Sequence, residues 1–389
     1  MSHRQRLRRD ESGLVVAGKH GEYRLGEKLG NGGYGAVYLC QRTTGKAPNK
    51  PVYAIKLEYV AGRTEQQLKL KLEVQILREI EEQRQRLQLC HFCRLIDWGR
   101  EVERHGFNFA VMSRVGKSVT DWRNHLGGRP FSMATTLRLG LQMLTAIEQL
   151  HLLGYLHRDI KPSNFCTGLR ENGESAKVYL VDFGISRRFA RPNGVLYTPR
   201  VAAAFKGTVR YASLRSHAGL ELCRKDDLES WFYTLLEMTP GVQLPWAGSS
   251  NKGEVRLLKK RFYYQLEEAR RSRRSSASDT DTDDDDSRRR QGRRRTIDLC
   301  PHEYKAIADE YVALPFVAAP DYKQIRRHLR AAMRRYDVRS NQPMDWEEKD
   351  DSRRSAADLT TYEQAGGRVF DSDDDDSDDD GDDHYDNGS

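Results

Sequence analysis

The stretch His157-Arg158-Asp159-Ile160-Lys161-Pro162-Ser163-Asn164 places a carboxylate, an ammonium and an amide in one short loop. Few folds need this combination, and each of the three groups suits phosphoryl transfer. Asp159 would accept the proton of an attacking hydroxyl, Lys161 would neutralise charge on a phosphate, and Asn164 would bind magnesium. The stretch therefore predicts a catalytic loop that works on ATP with Mg²⁺.

A second motif follows the loop in the chain, where Val181-Asp182-Phe183-Gly184 comes at the end of an apolar strand predicted at 178–181. Its carboxylate, Asp182, could chelate a magnesium ion that bridges two phosphates. An Asp-Phe-Gly tripeptide alone is common. Because it comes after a catalytic loop, the order of the motifs makes coincidence a poor explanation.

Glycines dominate the stretch Leu29-Gly30-Asn31-Gly32-Gly33-Tyr34-Gly35-Ala36-Val37. Such glycines let a backbone turn press on phosphates, although they would also suit a plain hairpin. A dinucleotide-binding loop would continue directly into a helix. Here β-type residues 36–39 follow, so the pattern favours a glycine-rich hairpin over ATP.

Lys56 ends the run Tyr53-Ala54-Ile55-Lys56, and its apolar neighbours would point the ammonium into a cleft. Glu73, on the next predicted helix, could pair with Lys56 and aim it at the α and β phosphates. Taken singly, the lysine could lie at a sheet edge and the glutamate on a solvated helix face.

Hydrophobic periodicity predicts a β-rich part followed by a helical part. The predicted strands are 23–29, 36–40, 52–57, 93–98 and 107–112, and the predicted helices are 65–84, 135–153, 228–238, 254–268, 304–313 and 322–336.

With these motifs in order, the sequence resembles eukaryotic protein kinases of the casein kinase 1 superfamily, and most of all the tau-tubulin kinase branch. The family-like stretches lie at 54–58, 157–165, 207–213, 224–230 and 243–246. The resemblance implies an α+β, two-lobed protein kinase fold with a small antiparallel β-rich N-lobe and a large α-helical C-lobe. It also implies a serine/threonine kinase, because tyrosine kinases usually lack a lysine at the place of Lys161.

The resemblance suggests a division of the chain. The kinase domain would span 23–338, with the N-lobe at 23–113 and the C-lobe at 114–338. Composition predicts disorder in the basic segment 1–22 and in an Arg/Asp-rich insertion at 269–296. A C-terminal tail would follow at 339–389, and its run 371–383, with ten aspartates, is expected to be disordered and solvated.

The resemblance also assigns residues around the nucleotide. Met112 would be the gatekeeper, and 113–115, including Val115, would form the hinge that pairs with adenine. Leu29, Val37 and Ala54 would sandwich the base. Asp227 would brace the catalytic loop, and Thr208 would contact the Asp159 region.

One departure from most kinases is Tyr211-Ala212-Ser213-Leu214, which stands where Ala-Pro-Glu is usual. The superfamily shares it, which implies that phosphorylation of the preceding loop is not the on-switch. Arg210 and a lysine at 259 or 260, taken as Lys260, resemble residues that hold an anion of the substrate. Substrates with acidic or phosphorylated segments are then expected, although both residues could be plain surface charge.

The formal net charge is +8 although the tail carries its aspartates, so the remainder is strongly cationic. Such a surface would attract acidic proteins, and it could also attract nucleic acid or anionic lipid. No nucleic-acid module signature, signal peptide or membrane-spanning run is evident. We expect a monomeric catalytic domain in the cytoplasm, with the nucleus as a second location, and neither membrane nor nucleic acid as a partner.

Three alternatives stay open. The chain could be a pseudokinase scaffold, against which stands the complete set Lys56, Asp159, Asn164 and Asp182. The arginines of 288–295 could bind nucleic acid, although aspartates nearby offset their charge. The pair Cys90 and Cys93 could contribute to a zinc site, although no second pair at suitable spacing exists and ordinary packing is favoured.

Overall fold

The computed structural model describes residues 10–32, 35–44, 51–276 and 295–347. Within these ranges an antiparallel β-sheet comes first and a mainly helical region follows. The α+β, two-lobed prediction is therefore confirmed.

The N-lobe is built on a six-stranded sheet with the strand order β1-β2-β3-β4-β6-β5. Its inward side chains alternate along each strand, as a sheet with one buried face requires. The buried set includes Tyr23, Leu25, Tyr38, Ile55 and Leu57. The strands are β1 (Val15–Ala17), β2 (Glu22–Gly32), β3 (Gly35–Arg42), β4 (Val52–Tyr59), β5 (Leu95–Glu101) and β6 (Phe107–Ser113).

Helix α1 (Leu70–Gln83) packs on β5 and β6 and carries Glu73. Its buried residues Ile76, Leu77 and Ile80 belong to the same apolar cluster as the C-lobe core. The helix therefore packs against both the sheet and the C-lobe core, and this packing fixes the position of Glu73 at the cleft.

Helices form most of the C-lobe. The helices are α2 (Val119–His125), α3 (Met133–Leu152), α4 (Leu214–His217), α5 (Arg224–Met238), α6 (Lys252–Ser276), α7 (Glu303–Val312) and α8 (Tyr322–Arg335), and the strands are β7 (Tyr155–Leu156), β8 (Phe165–Thr167), β9 (Val178–Leu180) and β10 (Arg187–Arg188). Helix α5 is buried on nearly every side, with Trp231, Phe232 and Tyr233 fully inaccessible. Two short strand pairs, β7 with β10 and β8 with β9, flank the catalytic loop.

The predicted disorder of 1–22 is wrong for residues 10–22. Strand β1 pairs with β2, and Val16 lies opposite Tyr23 with no exposed surface. The backbone N–H of Glu11 donates to the Tyr38 hydroxyl at 3.2 Å. A short apolar run among basic residues has too little apolar surface to fold alone. Here the edge of the sheet supplies hydrogen-bond partners for its backbone. Residues 1–9 lie outside the described part.

The predicted insertion at 269–296 is wrong at both ends. Helix α6 continues to Ser276, because alanine and arginine are strong helix formers and the Arg-rich run extends the helix. At the other end, Thr296 begins a short 3-10 helix that buries Ile297. The remainder of the predicted insertion, 277–294, lies outside the described residues.

The predicted domain end at 338 is also wrong, because 339–347 packs onto the C-lobe. Met344 and Trp346 are buried, and Trp346 stacks on Trp122 with ring centroids 5.5 Å apart. The Asp345 carboxylate accepts a hydrogen bond from the backbone N–H of Ser132 at 2.7 Å, just before α3. The rest of the tail, 348–389, lies outside the described residues.

This boundary makes a prediction about stability. Trp346→Ala should lower the free energy of unfolding by about 3–5 kcal/mol, because it removes a fully packed indole and leaves a cavity. Urea titration followed by circular dichroism would measure the loss. Tyr336→Ala, at a side chain that is 44% exposed, is the control and should change stability little. Equal stability of Trp346→Ala and the unaltered protein would place the domain end back near 338.

Candidate active site

The catalytic loop lies between β7 and a 3-10 helix at Pro162–Asn164. Its start is held by the buried Asp227 of α5, which accepts from the backbone N–H groups of His157 at 2.8 Å and Arg158 at 2.9 Å. His151 of α3 contacts the same carboxylate at 2.9 Å. Asp227 therefore braces the loop as the resemblance suggested, and His151 is a partner that sequence reasoning missed.

Asp159 is held by hydrogen bonds on both oxygens. Its Oδ1 accepts from the N–H and the hydroxyl of Thr208, each at 2.9 Å. Its Oδ2 lies 3.0 Å from Lys161 Nζ and 3.3 Å from Asn164 Nδ2. The carboxylate therefore has one orientation, with the predicted Lys161 and Asn164 beside it.

Gly207 permits the approach of Thr208 to the loop. Its φ is +95°, and a Cβ at this position would lie 2.5 Å from the carbonyl oxygen of Arg158. Any other residue would be strained and would push 207 and 208 away from Asp159. The family-like Gly-Thr dipeptide thus has a steric reason.

Asp182 follows β9 in the left-handed region, with a φ of +64°. Phe183 beside it is buried, and its ring lies 6.0 Å from that of Phe92 and 5.6 Å from that of His157. This anchor holds a non-glycine residue in an unfavourable backbone conformation, which is typical of functional sites. Asp182 is thereby turned into the cleft, where half of its side chain is exposed.

Lys56 joins the two lobes electrostatically. Its Nζ lies 2.7 Å from Glu73 Oε2 and 2.9 Å from Asp182 Oδ1. Burial opposes the charge of the ammonium, but the carboxylates of Asp182 and Glu73 outweigh it and raise the pKa of Lys56. The same ammonium lowers the pKa of Asp182. Both groups are therefore charged at neutral pH, and the predicted Lys56–Glu73 ion pair is present.

Two oxygens are suitable ligands for magnesium. Asn164 donates its Nδ2 to the carbonyl oxygen of Asp159 at 2.8 Å, which leaves its Oδ1 for a metal. Asp182 offers Oδ2, while Oδ1 accepts from Lys56. The N–H of Val181 donates to the carbonyl oxygen of Asn164 at 3.0 Å, which brings the two residues together. Carboxylate and amide oxygens are the ligands that Mg²⁺ prefers, so the donor set fits the ion.

The glycine-rich stretch is a hairpin between β2 and β3, in which Gly30 pairs with Val37, Asn31 with Ala36 and Gly32 with Gly35. Gly33 and Tyr34 lie outside the described residues. A Cβ on Gly35 would lie 1.7 Å from the carbonyl oxygen of Leu57, so only glycine fits against β4. A strand, not a helix, follows these glycines, and this excludes the dinucleotide-binding alternative.

The residues assigned to adenine lie on four neighbouring strands. Ala54 of β4 pairs with Met112 of β6, while Leu29 and Val37 lie on β2 and β3. Leu29 is 43% exposed, which is unusual for a leucine and fits a surface that a flat base would cover. Strand β6 ends at Ser113, so Val115 lies just beyond it in the segment that links the lobes.

The residues of the expected anion site, Arg210 and Lys260, differ in their surroundings. Arg210 contacts Glu237 at 3.0 Å and the carbonyl oxygen of Ala247 at 2.8 Å. Lys259 is fully buried, whereas Lys260 is exposed. Of the two lysines, only Lys260 is accessible to a substrate anion.

Lys259 has a structural task instead. Its Nζ donates to the carbonyl oxygens of Val209 at 2.9 Å and Ala212 at 2.6 Å. Burial lowers the pKa of Lys259 to about 7, against the attraction of Glu229. Glu229 accepts from the N–H of Leu214 at 2.8 Å. Lys259 and Glu229 therefore support the 209–214 segment, in which residues 211–214 stand where most kinases have Ala-Pro-Glu.

A pattern in the sequence could have predicted that Lys259 is buried. It lies four residues after Val255 and three before Phe262, and all three are buried along one face of α6. Composition alone suggests that a lysine lies on the protein surface. The spacing of Lys259 from the apolar residues of the helix was therefore the signal that indicated its burial.

Two remaining expectations concern metals and membranes. Cys90 is exposed and Cys93 is buried, and no group of three or more His, Cys, Asp or Glu side chains in the described part could hold a metal. None of the described helices is both long enough and apolar enough to cross a membrane.

Residues 23–285 match the family model of the protein kinase domain. A probable serine/threonine-protein kinase of Dictyostelium discoideum is 37% identical over 243 residues, which cover 62% of this chain and 45% of the relative. The serine/threonine-protein kinase spe-6 of Caenorhabditis elegans is 27% identical over 349 residues, 87% of this chain and 81% of the relative. A putative casein kinase I of the same organism is 33% identical over 232 residues, 60% of this chain and 64% of that protein. The chain thus spans less than half of the Dictyostelium relative.

Proposed function

Because the chain belongs to the protein kinase domain family, we propose that it transfers the γ-phosphoryl group of ATP to serine and threonine hydroxyls of proteins. The observation that carries the proposal is the position of Lys56, whose ammonium contacts both Glu73 of the N-lobe and Asp182 of the C-lobe. A pseudokinase has no need for this pairing together with an ordered Asp159 and Asn164.

The residues divide the chemistry among them. Lys56 would bind the α and β phosphates, and Glu73 would keep its ammonium aimed at them. Asp182 and Asn164 would hold Mg²⁺, which when bound neutralises charge that develops on the phosphates. Nearly all catalysis in this reaction class comes from positioning and electrostatics, so a preformed arrangement of these side chains is what the reaction requires.

Asp159 would orient the substrate hydroxyl and accept its proton. Thr208 and Asn164 keep the carboxylate in one orientation, so the base needs no rearrangement before transfer. Lys161 lies 2.8 Å from the Thr208 hydroxyl and 3.0 Å from Asp159 Oδ2, where its charge is available to the transferred phosphate.

We further propose membership of the casein kinase 1 superfamily, in the tau-tubulin kinase branch. The family-like stretches at 157–165, 207–213 and 224–230 support it. The likeness to the Caenorhabditis protein named a putative casein kinase I is consistent with it. A cytoplasmic and nuclear location and a monomeric catalytic domain are part of the same proposal.

A preference for acidic or phosphorylated substrates is the finer part of the proposal, supported by the basic composition and the exposed Lys260. A peptide whose serine is flanked by aspartates should show a kcat/KM about tenfold higher than its asparagine analogue. The preference should shrink as salt rises, because exposed charges are screened. Lys260→Gln should reduce it, whereas Lys305→Gln, at a lysine paired with Asp298, should not. Equal kcat/KM for both peptides at low salt would refute the preference.

A further inference from the structure

Glu221 is a buried carboxylate between α4 and α5 that the proposed chemistry does not use. Its side chain is 7% exposed. Oε1 lies 3.3 Å from Arg187 Nε, and Oε2 lies 2.7 Å from Arg200 Nε. Arg215 of α4 holds the residue in place by donating to its carbonyl oxygen at 2.8 Å. One glutamate therefore contacts arginines from separate parts of the chain through ion pairs and a hydrogen bond.

Arg187 and Arg200 belong to the segment that runs from Asp182 to the substrate side of the cleft. We call residues 182–213 the activation segment. Arg187 lies near its start in β10, and Arg200 lies in its middle. The N–H of Ala203 also donates to the carbonyl oxygen of Gly219 at 2.9 Å, so the segment runs along the loop that carries Glu221.

A third arginine connects this cluster to the reacting groups. Arg158 directly precedes Asp159, has a φ of +69° and donates its Nε to the carbonyl oxygen of Ile185 at 2.7 Å. Burial, together with the charges of Arg187 and Arg200, lowers the pKa of Arg158 to about 10, while Glu221 and Asp227 oppose the shift. Three guanidinium groups thus repel one another next to the catalytic loop, and Glu221 is the carboxylate that contacts two of them.

In many kinases a phosphate added to the activation segment plays this part, because it pairs with arginines and orders the segment. We propose that Glu221 is a built-in counter-ion for the arginine cluster of Arg158, Arg187 and Arg200, and that it keeps the activation segment in its working path without phosphorylation. This inference rests on the proposed kinase function. It makes Glu221 a positioning residue, which acts on Asp159 through Arg158 and touches no substrate.

The arrangement has room for an anion if the carboxylate is removed. A cavity of about 50 Å³ lies beside Glu221, and Arg187, Tyr197 and Thr198 are among its lining residues. Truncation of Glu221 to alanine would enlarge this space and remove the carboxylate that contacts Arg187 and Arg200. An inorganic anion that enters should therefore restore what the glutamate supplied, which a residue important only for packing would not allow.

The experiment compares the full chain with Glu221→Gln, Glu221→Ala and Glu221→Asp, using an acidic serine peptide and ATP with magnesium. Glu221→Gln keeps the shape and removes the charge, and we expect it to lower kcat about tenfold or more. The KM for ATP should change little, because Lys56 is untouched. Glu221→Asp should retain more activity than Glu221→Gln. Glu148→Gln, which removes the charge from another glutamate–arginine pair of the C-lobe, serves as the matched control.

Inorganic phosphate at millimolar concentration should raise the kcat of Glu221→Ala several-fold, measured against sodium chloride of equal ionic strength. Phosphate at the same concentration should not raise the kcat of the unaltered protein. Treatment of the unaltered protein with a phosphatase should leave its kcat unchanged. Full activity of Glu221→Gln, or losses that phosphate does not reverse, or a requirement for phosphate on 191–206, would each overturn the inference.

A second measurement does not depend on catalysis. Backbone hydrogen exchange across 191–206 should be faster in Glu221→Ala than in the unaltered protein, and phosphate should slow it again. Unchanged exchange would contradict the inference even if the protein proved inactive. Conversely, absence of transfer by the unaltered protein in the same peptide assay would count against the proposed function and not against the counter-ion.

Discussion

Asp182→Asn should abolish nearly all phosphoryl transfer, with a fall in kcat of about 10³-fold or more. The asparagine has nearly the same shape but no charge, so the proposed magnesium site would lose its anionic ligand. Lys56 also loses one of its two carboxylate partners, although its contact with Glu73 at 2.7 Å persists. Transfer of labelled phosphate to casein would measure the effect, with circular dichroism as the test of folding.

Asp298→Asn provides a matched control, because Asp298 forms ion pairs with Arg295 and Lys305 outside the cleft. It should keep full activity. Equal residual transfer by the unaltered protein and Asp182→Asn would indicate a contaminating kinase. Full activity of a pure, folded Asp182→Asn protein would remove Asp182 from the proposed metal site.

Asp159→Asn should lower kcat by about 10²-fold to 10⁴-fold, the usual range for a positioned base. The amide cannot accept the proton of the substrate hydroxyl. It also presents an N–H₂ group either to the donors of Thr208 or to Lys161, where the carboxylate now accepts. Steady-state kinetics with peptide and ATP should show the loss in kcat, with the KM for ATP nearly unchanged because Lys56 and Asp182 remain.

Thr208→Ser gives a comparison for this variant, since it retains the hydroxyl that donates to Asp159 at 2.9 Å. Its kcat should stay close to that of the unaltered protein. A normal turnover of Asp159→Asn would exclude this residue as the base and would direct the search to another proton acceptor.

The elements with strong periodicity were predicted well from sequence. The predicted strands, including the short one at 178–181, and the six predicted helices are all present. In most of them the apolar residues recur with the period of the element. Other short elements were missed, among them α2, β7, β8 and β10. Such elements have too few residues for a period to show, and their stability comes from neighbours that are distant in the chain.

Domain boundaries were the weakest predictions, and the errors at the two ends of the kinase domain have a tertiary cause. Val16 belongs to a segment that was predicted to be disordered, and Trp346 to a segment that was assigned to the tail, yet both side chains are buried. Val16 lies in a strand that pairs with β2, and the ring of Trp346 packs against those of Trp122 and Phe131. Partners of this kind cannot be read from a local window.

The sequence by itself determined the proposed chemistry, because the groups that would act on phosphate are adjacent in short motifs and occur in the order typical of protein kinases. Tertiary structure alone decided which charges pair. It buried Lys259 under 209–212, where composition indicates a surface charge, and it brought Glu221 to Arg187 and Arg200. The physical reason is that the energy of a charge depends on its burial and its partners, and both are set by contacts between distant segments.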